Sequence, residues 1–171
     1  MSENITINLE GLSKEEREQL LGLVEEAKKP KKIWKPKCGE WYWFVGSDGE
    51  VDSCEWENDR IDRGRYSMGN CFRTKEEAIF VSIKQTVKTE LQRYADEHND
   101  PNLEEWNVKN WHYYIEYLPK CDALEIVSMC SRRMESVTYF TSENIAEDAR
   151  KEIGEKRIMK YLFDVDCEVD E

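Results

Sequence analysis

The stretch from Trp56 to Asn70 brings three arginines, three acids, a tryptophan and a tyrosine into fifteen consecutive residues. Trp, Tyr and Arg dominate binding hot spots, because each joins a large contact area to a polar handle. Carboxylates on the preceding residues extend the run. The candidate contact set is therefore Glu50, Asp52, Glu55, Trp56, Glu57, Asp59, Asp62, Arg63, Arg65, Tyr66 and Asn70. Three chemistries fit it. The acids can steer a basic protein surface onto aromatic anchors. Alternatively, Arg63 and Arg65 grip a phosphate while Trp43 or Trp56 stacks a nucleobase. In the third, Asp59 and Asp62 neutralise Arg63 and Arg65, and the loop is satisfied internally.

Catalytic patterns are weaker. A nucleophilic triad needs a base held beside a nucleophile and oriented by a third group. His98 falls at the polar end of a helical pattern and His112 inside an aromatic strand, which reads as one surface and one core histidine. Gly64 to Gly69 is followed by no Lys-Ser/Thr pair and is not a phosphate-cradling loop. The six cysteines form no C-x-x-C pair, so no zinc site, metal or cofactor is expected and buried free thiols are the reading. Carboxylates are so abundant that acid clustering alone cannot signal a metal-dependent nuclease.

The chain has 171 residues, 36% of them charged, and a formal net charge of −12. That charge opposes direct binding to nucleic acid or to an anionic membrane. No apolar run spans a bilayer and the amino terminus is too polar for a signal peptide, so the expected location is cytoplasmic, with reduced thiols.

The elements that must position these residues follow from periodicity. Residues 5 to 9 alternate as an edge strand does, and Ser13-Lys14-Glu15-Glu16 has the form of a capping box. A helix is expected from there to Lys29, then a linker over 30–38; Lys28 to Lys37 carries six lysines and two prolines. Trp41 to Val45 and Val51 to Trp56 flank an Asp48-Gly49 turn and predict a hairpin. Residues 57 to 70 read as irregular. Thr74-Lys75-Glu76-Glu77 is a second capping box, and Phe80, Ile83, Val87, Leu91 and Tyr94 continue a helix to His98. Beyond the break at 99–102, His112 to Tyr117, Leu124 to Met129 and Val137 to Phe140 read as strands. Ser142 caps a helix with Ala146, Ala149 and Ile153 inward, interrupted at Gly154, and residues 164–171 form an acidic tail.

Trp41-Tyr42-Trp43-Phe44-Val45 is echoed seventy residues later by Trp111-His112-Tyr113-Tyr114-Ile115. Phe72-x-Thr74-x-x-x-Ala78 is echoed sixty-eight residues later by Phe140-x-Ser142-x-x-x-Ala146. The expected fold is α+β: two related units of antiparallel strands, over 39–98 and 105–163, each closed by a long helix, with an amino-terminal strand and helix over 1–29.

Trp34-Lys35-Pro36, Gly39-Glu40, Tyr42-Trp43, Asp48-Gly49-Glu50-Val51, Arg65-Tyr66 and Gly69-Asn70-Cys71-Phe72-Arg73-Thr74-Lys75-Glu76-Glu77-Ala78 resemble a family of small proteins from phages and prophages of low-GC Gram-positive bacteria. The resemblance resumes at His112 to Ile115 and runs from Tyr139 to Phe163. It implies a phage accessory protein and carries no catalytic residues with it. Because such proteins often accompany genes that blunt bacterial immunity, the expected function is non-enzymatic inhibition of a host defence complex, including anti-CRISPR activity. The expected partner is a defence protein or ribonucleoprotein with a basic surface. A module that sequesters a nucleotide signal is the alternative, followed by a nuclease and by a structural phage protein.

Overall fold

The computed structural model describes residues 13, 14, 16–19 and 34–168. The chain divides into two compact units, residues 1–35 and 36–171. In the first, the capping box at Ser13 is formed: the Glu16 amide donates to Ser13 Oγ (3.3 Å) and the Ser13 amide to Glu16 Oε2 (2.8 Å). The expected strand at 5–9, the helix beyond residue 19 and the first four residues of the linker, 30–33, lie outside the described residues.

The second unit is α+β. Strands β1 (Trp41–Val45) and β2 (Val51–Glu55) form an antiparallel hairpin with Trp41 opposite Glu55 and Val45 opposite Val51. Its turn depends on Gly49, whose φ of 86° is costly for residues with a Cβ. Helices α1 (Arg60–Ser67) and α2 (Lys75–His98) follow. A second antiparallel hairpin, β3 (His112–Leu118) and β4 (Ala123–Met129), precedes α3 (Glu143–Ile153) and α4 (Glu155–Phe163). Gly154, at φ 97°, forms the corner between α3 and α4.

The echo in the sequence corresponds to a shared geometry. Trp43 and Phe72 exchange both backbone hydrogen bonds (3.0 and 2.8 Å), and Tyr113 and Phe140 do the same (2.8 Å each). Each exchange adds a one-residue third strand beside the first strand of its hairpin. Two residues later a hydroxyl caps the next helix: Thr74 accepts from Glu77 N and Ser142 from Ile145 N. Four residues after each cap comes a fully buried alanine, Ala78 or Ala146, where any larger side chain would hold the helix off the sheet. Val137 to Phe140, expected as a full strand, contributes only this bridge.

Helix α2 serves both hairpins. Its amino-terminal part packs on β1 and β2, while Val87, Leu91 and Ala95 enter a core with Leu124, Phe140, Ala146, Ala149, Ile153 and Ile158. Burying a stripe of this kind, at roughly 25 cal/mol per Å² of apolar surface, holds the long helix in place.

Residues 57 to 70 depart from expectation. They contain α1, eight residues long, where an irregular loop is expected. The helix starts because Asp59 and Asp62 form a reciprocal capping box. Asp59 accepts from Asp62 N (2.8 Å), and Asp62 accepts from Asp59 N (3.4 Å). Cysteine placement also differs, since Cys38 and Cys121 are exposed and the other four are half-buried; all six are free thiols.

Candidate functional site

The residues around the first hairpin separate into a buried polar network and an exposed acidic rim. The network begins at Tyr42, which is fully buried on the β1 face that meets α1. Its hydroxyl donates to Asp62 Oδ1 (2.8 Å) and accepts from Arg65 Nη1 (3.1 Å). Arg65 also donates to Cys54 Sγ (3.1 Å) and lays its guanidinium 3.4 Å from the centre of the Phe44 ring. The second Asp62 oxygen accepts from the Glu57 amide (2.8 Å). A carboxylate buried to this depth is tolerated because nearly every lone pair is matched.

Protonation follows from these contacts. Burial would raise the Asp62 carboxyl, but the Tyr42 hydroxyl and the amides of Glu57, Asp59 and Asn58 outweigh it, holding the group below its usual value. Burial, assisted by Cys54, pushes the Tyr42 phenol well up, so it remains a donor to Asp62. Burial also pushes the Cys71 thiol up to about 11, against the opposing charge of Arg65.

This network occupies several of the expected contact residues and buries two of them, Trp56 and Asp62. Trp56 is 2% exposed and packs edge-on against Tyr42 and Tyr66, so neither a partner nor a nucleobase reaches its face. Asp62 is buried, and Arg65 is committed to Tyr42, Cys54 and Phe44 rather than to phosphate. Tyr66 is half-buried against Trp56. Asn70 exchanges two 2.8 Å hydrogen bonds with the backbone of Val45 and holds the end of β1. Internal satisfaction is thus achieved, but through Tyr42 and backbone amides. Among the described residues, Asp59 and Asp62 make no ion pair with Arg63 or Arg65.

The remaining candidates, Glu50, Asp52, Glu55, Glu57, Asp59 and Arg63, are exposed. From Cys38 to Asp59 the chain holds seven carboxylates and neither lysine nor arginine. None of the seven forms an ion pair among the described residues. Elsewhere some acids are ion-paired, Glu147 with Arg150 and Lys151, Glu90 with Arg157 and Asp164 with Lys84, while others, such as Glu97, Glu116 and Glu125, make no ion pair among the described residues. Trp41, opposite Glu55 in the hairpin and 62% exposed, adds an apolar face beside the rim. It is absent from the sequence-based set, although its place at the outer end of β1, in register with an acid, is a usable signal.

No group of three or more metal-binding side chains converges among the described residues, and no catalytic arrangement is evident there. His98 lies exposed and stacked on Tyr94, and His112 is buried and stacked on Trp106 at 3.9 Å. No described helix is long and apolar enough to cross a membrane. Comparison with family models, curated proteins and solved structures finds no match to this chain.

Proposed function

We propose that this chain is a non-catalytic, phage-encoded inhibitor that occupies a basic, nucleic-acid-handling surface of a bacterial defence complex, CRISPR effectors among them. The observation that carries this reading is the unneutralised rim formed by Glu50, Asp52, Glu55, Glu57 and Asp59. Uncompensated carboxylates on one edge raise the local negative potential, speed encounter with a basic surface and disfavour nucleic acid itself. Trp41 supplies apolar contact area next to the charges, as interface anchors do. The tertiary network beneath holds the rim on a rigid hairpin, which lowers the entropy lost on binding.

Affinity capture of the tagged chain from a Gram-positive host tests the proposal. Near-stoichiometric recovery of one basic nuclease complex is expected, with recovery lost for the triple variant Glu50→Lys, Asp52→Lys, Glu55→Lys. Capture that is indifferent both to this variant and to a tenfold rise in salt would exclude the electrostatic mechanism.

A further inference from the structure

The cavity beside the carboxyl-terminal end of α4 has a different chemistry from the rim. Its volume is about 310 Å³. Leu91 and Phe140, both almost fully buried, belong to its lining, together with half-buried Ile115 and Phe163. Lys84 and Lys88, one turn apart on α2, line it too. Lys84 is held by Asp164 at 3.3 Å, whereas Lys88 makes no ion pair among the described residues.

We propose that this cavity binds a small amphipathic anion: a carboxylate on an unbranched acyl chain of about ten carbons, whose carbons fill the cavity at roughly 30 Å³ per non-hydrogen atom with the two head-group oxygens at its mouth. The volume sits at the low end of small-molecule sites, and the pattern is theirs, with apolar walls and a few polar groups that fix orientation. An apolar depth gives water few partners and favours a hydrocarbon occupant. The cation on a flexible stem at the edge selects the sign of the head group, in a chain whose net charge is −12. A nucleobase is the poorer fit. Its edge needs several donors and acceptors, and beside the two lysines the lining offers only the Ser136 and Thr138 hydroxyls as polar side chains. This site is independent of the acidic rim and of any protein partner.

Calorimetric titration of the full chain with sodium decanoate, decylammonium and adenosine monophosphate tests the assignment. Decanoate is expected to bind saturably at one per chain. Lys88→Glu should weaken it by about tenfold or more, the loss expected for a charged contact. Val137→Trp, which places a large ring at the half-exposed wall, should abolish binding with the thermal midpoint unchanged. Absence of saturable decanoate binding to the native chain would overturn the proposal. So would equal affinity for decylammonium, an unaffected Lys88→Glu variant, or tighter binding of the nucleotide.

Discussion

Each hairpin has one face against the shared helical core and needs a cover for the other, and the two halves obtain that cover differently. In the first, the connector between β2 and Phe72 folds into α1 and lies over Tyr42 and Phe44. In the second, the corresponding connector over 130–138 contains no helix, and Trp106, from before β3, stacks on His112 at 3.9 Å with the rings only 6° from parallel. Tyr42 and His112 occupy equivalent places, both buried. One is fixed by a hydroxyl that donates and accepts. The other rests on a ring face and one long contact from Nε2 to the Glu104 carbonyl (3.3 Å). The backbone devices of the repeat are kept in both halves: bridge, cap and buried alanine. What has changed is the cover: a helix carrying a buried polar network in one half, a stacked indole with no helix in the other.

The comparison can be broken most forcefully at the bridging phenylalanines. Phe140 is 1% exposed and Phe72 only half-buried. Phe140→Ala should therefore cost about 3–5 kcal/mol in urea unfolding, and Phe72→Ala clearly less. Equal losses would mean that the two bridges carry the same packing load. Asp62→Ala comes next. It leaves Tyr42 and two amides without an acceptor and should cost about 2–3 kcal/mol. Because the Asp62 carboxyl titrates below its usual 3.8 in the folded chain, its ionisation stabilises the fold above that pH. The contribution fades as pH falls through the lower folded value. Asp62→Asn should accordingly flatten the acid limb of the stability profile below about pH 4.

The caps sharpen the likeness rather than the contrast. Thr74→Ala and Ser142→Ala should each cost about 1 kcal/mol, and a marked difference would show that one helix start is held by other contacts. Smallest of all, lysine at Glu50, Asp52 or Glu55 should change stability by less than about 0.5 kcal/mol, as expected of exposed, unpaired side chains. A large loss there would make the rim structural. Thiol alkylation at pH 8 offers a separate check. Exposed Cys38 should react readily, while Cys71, with its thiol pushed up to about 11, should react slowly.

Much of this was legible from residue order. The paired hairpins, the caps at Thr74 and Ser142 and the break at Gly154 are written in local signals, because turns and helix starts depend on neighbours a few residues apart. Helix α1 was not. Gly64 in its interior costs about 1 kcal/mol of helix propensity, and its apolar stripe is thin. Only Asp59-x-x-Asp62 announced it, with the shorter aspartate in the place where the usual capping box has Glu or Gln. The site was legible by composition but not by burial. Trp56 and Arg65 look like contact residues until Tyr42, far away in sequence, is seen to claim the same space. The cavity was invisible, since its walls come from positions between 84 and 163 that meet only after folding.

Helix α2 has one end in each hairpin's packing, and this makes the repeat indivisible. A fragment ending near His98 would carry Val87, Leu91 and Ala95 bare to water, and one starting near residue 105 would lack the helix that fills its core. Neither half is a portable module. If the chain arose by doubling of a smaller ancestor, that ancestor must have covered its own helix in another way, for which self-association is the simplest route.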